Sequence, residues 1–144
     1  MPSQTFRATA TTSGDLAAAW QALQRPETWE GIAGVETVHG AVHDADGNLT
    51  RFAFAASVGG VRYLGTSSVT VSDEPDHIRL ELTTSEVIAT IDVSLRKVAD
   101  ETTITVDLAV RSRSFLAGMF FPAIADSIGR GLPATTDEFA GRLV

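Results

Sequence analysis

Two polar side chains stand in a largely apolar part of the sequence where they could act on a bound molecule. They are Tyr63, the only tyrosine, and Ser67. A phenol in an apolar pocket can donate a hydrogen bond to a ligand carbonyl or act as a general acid; the alternative is a core tyrosine bonded to a backbone carbonyl or water. Ser67 has no inward histidine to activate it, so it is expected to orient a ligand or to fill a gap. Tyr63 is therefore the single catalytic candidate.

The histidines and the central carboxylates do not predict a metal site. His39 and His43 would share one strand face, about 13–14 Å apart at ~3.3–3.4 Å per residue, which is too far for joint ligation of one metal. His77 has the same polar parity as these two. Asp92 and Asp107 fall on neighbouring strands at polar positions, which indicates a solvated, charge-mixed face. We expect no metal and no cofactor.

The composition of the chain argues against several classes of protein. A chain of 144 residues fits one domain covering 1–144. Cysteine is absent, which excludes disulfides, thiolate catalysis and cysteine-based zinc sites. A formal charge of −7 without a basic stripe argues against nucleic acid as a partner. The polar start predicts no signal peptide, and the longest apolar run is about half the ~20 residues of a membrane span. We therefore expect a cytoplasmic protein without a stable membrane span.

The elements that must position Tyr63 and Ser67 follow from the apolar periodicity. Residues 5–11 alternate as a strand, and residues 12–15 supply the cap of a helix that runs to Gln24, with Trp20 in its core stripe. Pro26 suits the start of a short helix that runs through Trp29. Six strands then follow with short turns, which predicts an antiparallel meander over residues 35–44, 49–58, 61–72, 77–83, 86–98 and 101–111.

Alternation along these strands predicts one buried and one wet face of the sheet. The buried parity is nearly all apolar and includes Val42, Phe52, Phe54, Tyr63, Gly65, Ser67, Val71, Ala89 and the even positions 78–82 and 104–110. A helical stripe over residues 114–143 is the candidate cover, with Pro122 and Pro133 expected to kink or break it. Fold class is thus α+β, a curved antiparallel sheet of about seven strands around a long C-terminal helix.

A cavity between the sheet and this helix is expected from their widths. Six strands make a sheet about 24 Å across, whereas a helix with its side chains is ~10–12 Å in diameter. Several inward positions are small, among them Gly65, Ser67 and Ala89. Such residues leave volume, although they could also admit the helix more closely.

The order of elements resembles the START-like, Bet v 1-like superfamily, the polyketide cyclase/dehydrase and lipid transport group with the helix-grip fold. Residues 26–29 with Gly34 and Val35 resemble its helix-to-strand passage, residues 63–66 its aromatic-x-Gly strand, and residues 115–144 its closing helix. The resemblance spans essentially the whole chain. It implies a cavity for a hydrophobic ligand, but the family includes carriers, sensors, cyclases, co-chaperones and proteins described as toxins, so the fold does not choose among functions.

Three hypotheses about function follow. The first is binding of a small hydrophobic or amphipathic ligand, such as a lipid, quinone or polyketide-like molecule, by a carrier or sensor. Its expected ligand-binding residues are Trp29, Phe52, Phe54, Tyr63, Ser67, Phe120 and Ile124. Trp29 could gate the cavity, or it could simply pack the helix pair onto the sheet. The second hypothesis is a cyclase or dehydratase acting on an aromatic or polyketide-like substrate, with Tyr63 as its acid.

The third hypothesis is an interaction module of the toxin or co-chaperone type. The segment 115–121, from Phe115 to Phe121, is apolar all round. A helix of this kind is buried on more than one side or forms a partner surface. It is therefore the expected contact for a protein partner or a homodimer.

Overall fold

The computed structural model describes residues 3–32, 35–58, 60–113 and 129–143. It is an α+β structure with a curved antiparallel sheet, two short helices after the first strand, and a C-terminal helix. The strands are β1 (Ser3–Thr12), β2 (Thr37–His43), β3 (Leu49–Val58), β4 (Val61–Asp73), β5 (His77–Thr83), β6 (Val87–Val98) and β7 (Glu101–Ser112). The described helices are α1 (Leu16–Leu23), α2 (Pro26–Ile32) and α3 (Leu132–Arg142).

The sheet is the predicted antiparallel meander, and the first strand is added at its β7 edge. Its seven strands follow the order β1-β7-β6-β5-β4-β3-β2. β1 pairs antiparallel with β7 from Ser3 opposite Arg111 to Thr12 opposite Thr102. The connections between β2 and β7 are too short for a crossover, so each strand lies beside its neighbour in sequence. The fold class expected from the sequence is confirmed.

The helices begin where the sequence signals predict. Asp15 caps α1, and its carboxylate accepts a hydrogen bond of 2.6 Å from the backbone N–H of Ala18. Pro133 lies in the first turn of α3, where its missing donor would have no intrahelical partner in any case. A turn at Gly131 precedes α3, so Pro133 marks a break in the helical region, one of the two outcomes expected for it. α3 packs against β1 and α2.

The parity predicted for β2 is wrong after Gly40. Gly40 has φ +62°, and the pairing of β2 with β3 shifts register on both sides of Val42. A bulge of this kind moves the following side chains to the other face. Val42, expected inside, is 39% exposed. His43, expected on the wet face, instead places Nε2 2.9 Å from the carbonyl oxygen of Gln24, beyond the end of α1.

A second irregularity lies in β4. The register between β4 and β5 shifts between Val69 and Val71, so that Val71 stands opposite Arg79. Val71 was expected on the buried face, but its partner belongs to the wet face. Both errors follow from a register shift, and the alternating burial along β5 and β7 is as predicted.

Candidate ligand-binding site

The centre of the inner face is one cross-strand row, called here the Ser67 row. Phe52 pairs with Ser67, Ser67 with Leu82, Leu82 with Ala89, and Ala89 with Val110. These five side chains come from consecutive strands of the sheet, β3 to β7, and share a face because directly paired residues point the same way. Ser67 is therefore a single hydroxyl within an apolar row.

Burial differs between the two ends of the inner face. Ile78, Val93 and Val106 lie side by side on β5, β6 and β7, and each is 0% exposed. In the opposite direction along the strands, Ala89 and Val87 are only half-buried. The sheet is thus tightly packed near one end, and its accessible inner surface begins at Ala89, the least buried member of the Ser67 row, and continues toward Val87.

Ser67 places a polar atom in this region without a protein partner. The side chain is 2% exposed, and within the described ranges its Oγ has no hydrogen-bond partner. Burying a hydroxyl without a hydrogen bond costs about 1–3 kcal/mol. The buried hydroxyl of Thr84, just after β5, differs from it because it is bonded to the backbone of Val87. The hydroxyl of Ser67 is therefore free to bind a ligand atom or a water molecule.

Phe54 and Tyr63 lie next to this row, toward the β3–β4 turn. Phe54 is 3% exposed and pairs with Gly65. A Cβ built on Gly65 would overlap the ring of Phe54 and would lie 2.6 Å from the carbonyl oxygen of Thr83. The expectation that Gly65 leaves open volume is therefore wrong, because the ring of Phe54 already fills the place of the missing side chain.

Tyr63 is half-buried opposite Ala56 on β3. No charged residue accompanies it at the inward positions of β3, β4 and β5. General acid–base chemistry requires positioned acids and bases within hydrogen-bond reach of the substrate. The described part of the site therefore offers one phenol and one hydroxyl, which suits orientation of a ligand better than proton transfer.

Trp29 is buried inside the helix pair. It is 0% exposed, and its indole N–H donates a hydrogen bond of 3.0 Å to the carbonyl oxygen of Leu23. The carbonyls on either side are occupied as well, since Ala22 accepts from the hydroxyl of Thr28 and Gln24 from His43. Side chains thus satisfy the orphan carbonyls at the C-terminal end of α1. This geometry favours the packing role for Trp29 over that of a gate.

Replacing Trp29 by phenylalanine is expected to lower the free energy of unfolding by about 2 kcal/mol, because the buried carbonyl of Leu23 loses its donor and a cavity remains. Urea unfolding followed by circular dichroism measures this loss. The exposed residue Gln21 of α1 serves as control, and Gln21→Ala should change stability by less than about 0.5 kcal/mol. An unaltered stability in Trp29→Phe would contradict the packing role.

The outer face of the sheet carries the predicted mixture of charges. Asp107 pairs across the strands with Arg7 and Asp92. The carboxylate of Asp92 lies 2.7 Å from both Nε2 of His77 and Nε of Arg79. The hydrogen bond from Arg7 to Asp107 raises the pKa of the Arg7 guanidinium above its ordinary value. Asp107 is thus paired with Arg7, and Asp92 contacts Arg79 and His77, on a charge-mixed face as expected.

Solved structures with the same architecture have sequences of low identity. A START superfamily protein from Mycobacterium smegmatis matches with a TM-score of 0.71 at 14% identity, over 97% of this chain and 99% of that chain. The Zhui aromatase/cyclase from a Streptomyces species matches with a TM-score of 0.73 at 13% identity, over 99% and 94%. The major latex-like protein of Panax ginseng gives 0.57 at 11% identity, over 92% and 96%. The chain has the START/Bet v 1-like fold.

These neighbours show only that the chain has the START-like fold, because their sequence identities to this chain are low. No family model and no curated protein matches the sequence. The expected fold family is therefore confirmed by structure alone. The function has to be argued from the site.

Two parts of the expected site in this START-like chain lie outside the described residues. Phe120 and Ile124, predicted to line the cavity from the helix side, are among them, and so is the segment 115–121. The structure therefore places Phe52, Phe54, Tyr63 and Ser67 together on the sheet and Trp29 apart from them, beneath the end of α1. None of the described helices is long and apolar enough to cross a membrane.

A groove of about 520 Å³ lies away from the Ser67 row, between β1 and α3. Its walls include two carboxylates, Glu101 and Asp137, with hydroxyl groups of β1. This groove is open and polar. It is distinct from the apolar cavity that the sequence predicts.

Proposed function

We propose that this START-like protein binds a small apolar or amphipathic molecule against the inner face of its sheet, as a carrier or sensor. The observation that carries the proposal is Ser67, whose hydroxyl is 2% exposed and unpartnered among the described residues. Its neighbours Phe52 and Leu82 supply apolar contact, and half-buried Ala89 marks accessible surface. Sites for small molecules have this composition, a mostly apolar lining with few polar groups.

Catalysis of the cyclase or dehydratase type has less support. One structural neighbour is an aromatase/cyclase, but the inward positions of β3, β4 and β5 provide Tyr63 without a second ionisable group. The interaction module depends on the segment 115–121, which is outside the described residues. For localisation we propose the cytoplasm, supported by the absence of cysteine, which suits a reducing compartment.

Native mass spectrometry of the protein from its own host tests the proposal directly. We expect a bound molecule at one copy per chain, released and identified by extraction with organic solvent. A parallel titration with the fluorescent probe α-naphthol should show saturable binding. A clean mass without ligand, together with no saturable binding of α-naphthol or of a lipid and quinone panel, would contradict a binding function.

Replacing Ser67 by alanine is expected to stabilise the ligand-free protein by about 1 kcal/mol, because a buried hydroxyl without a partner is removed. The same change should weaken α-naphthol binding about fivefold, the value of one neutral hydrogen bond. Chemical unfolding and fluorescence titration measure the two effects. The neighbouring Ser68 is exposed on the outer face, so Ser68→Ala is the matched control and should leave both quantities unchanged. Loss of stability in Ser67→Ala would indicate that the hydroxyl already has a partner.

A further inference from the structure

Trp20 carries a second buried polar atom without a protein partner. The side chain is 1% exposed, and no described residue accepts a hydrogen bond from its Nε1. The other tryptophan differs, since Nε1 of Trp29 donates to the carbonyl oxygen of Leu23 at 3.0 Å. Buried indole N–H groups usually find an acceptor. The N–H of Trp20 therefore requires an explanation that packing alone does not give.

The ends of α1 show where Trp20 lies. The carbonyl oxygen of Gly14, just before α1, accepts a hydrogen bond of 3.0 Å from the hydroxyl of Thr102 on β7. The amide oxygen of Gln24, just after α1, accepts one of 2.9 Å from the backbone N–H of Leu49 on β3. Three strands, β6, β5 and β4, separate β7 from β3. α1 therefore spans the sheet at the end where β3 and β7 begin, and Trp20 is buried beneath it.

Trp20 and the Ser67 row belong to the same interior. The hydrophobic core containing Trp20 is continuous with Phe52 and Leu82, the two direct neighbours of Ser67 in the sheet. Two buried polar groups thus face one apolar core, one from the helix layer and one from the sheet. The indole N–H can only donate a hydrogen bond, whereas the serine hydroxyl can donate or accept.

We propose that the N–H of Trp20 binds an oxygen acceptor of the ligand, so that the site selects apolar molecules bearing a carbonyl, hydroxyl or ether oxygen over plain hydrocarbons. This inference rests on the proposed ligand-binding function and specifies the chemistry of the ligand. A hydrocarbon would leave both Trp20 and Ser67 without partners, and each unsatisfied buried group carries its full desolvation cost. An oxygenated ligand removes at least one of these costs. The discrimination is large because it depends on a buried donor of the protein.

The test compares α-tetralone with tetralin, two molecules of the same ring skeleton that differ by one carbonyl oxygen. Heteronuclear NMR of the wild-type protein resolves the indole N–H groups of its 2 tryptophans. We expect α-tetralone to move the Trp20 signal downfield, as a new hydrogen bond does, and tetralin not to do so. The Trp29 signal is the internal control and should stay in place with both molecules.

Affinities provide an independent readout. In Trp20→Phe the ratio of α-tetralone affinity to tetralin affinity should fall about tenfold, because lost packing affects both molecules and cancels in the ratio. If both molecules bind and the Trp20 signal does not respond to α-tetralone, the inference is overturned while the binding function stands. If neither molecule binds and α-naphthol does not bind either, the proposed binding function is overturned, and this inference is overturned with it.

Discussion

Replacing Ala89 by phenylalanine is expected to lower the affinity for α-naphthol by roughly a hundredfold. Ala89 lies on the inner face between Leu82 and Val110 and is half-buried. A benzyl side chain at this position would occupy the accessible surface beside Leu82, the direct neighbour of Ser67 in the row. Overpacking an apolar interior costs about 1–3 kcal/mol, and a hundredfold loss of affinity corresponds to about 2.7 kcal/mol. Fluorescence titration of the variant measures the loss.

The control for this change comes from the adjacent strand. Ala109 on β7 is exposed on the opposite face of the sheet, so Ala109→Phe introduces the same group without approaching the Ser67 row. Its affinity should equal that of the wild type, and unfolding curves should show that both variants fold. If Ala89→Phe bound α-naphthol normally but lost about 1–3 kcal/mol of stability, the position would be packed in the free protein. The binding surface would then lie elsewhere.

The fold could be predicted from the sequence because its signals are local and repeated. Each strand of the meander alternates over several residues, and each connection is too short for anything but an antiparallel neighbour. β3 and β5 accordingly have the predicted bounds, Leu49–Val58 and His77–Thr83. The failures occur where a single residue shifts the register. Gly40 introduces a bulge into β2, and a strand of 7 residues contains too few alternations to reveal it.

The alternation along the strands predicts which residues of the site lie on the inner face of the sheet, and nothing more about the site. Parity places Phe52, Phe54 and Ser67 on the inner face, and burial in the structure agrees. It does not say whether a buried polar atom has a partner, since a partner comes from elements distant in the chain. The capping of α1 by Trp29 and His43 and the unpartnered N–H of Trp20 are results of tertiary structure. The spacing of these residues in the sequence does not predict these contacts or the missing partner.

Replacing Gly65 by alanine is expected to lower the free energy of unfolding by about 3 kcal/mol, at the upper end of overpacking costs. The new Cβ would overlap the ring of Phe54 and lie 2.6 Å from the carbonyl oxygen of Thr83. Phe54 could rotate only into neighbouring core atoms, since it is 3% exposed, and the carbonyl belongs to the adjacent strand. Urea unfolding measures the loss, and α-naphthol binding should weaken as well because Phe54 lies beside the Ser67 row.

The same substitution at Gly141 separates steric conflict from the general effect of removing a glycine. Gly141 lies within α3, and a Cβ there meets no atom within 4 Å. Gly141→Ala should therefore raise stability by up to about 1 kcal/mol through helix propensity. Opposite signs for the two variants would establish that Gly65 is required by the ring of Phe54. A tolerated Gly65→Ala would instead show that the ring can move aside, and the space it enters would then be part of the cavity.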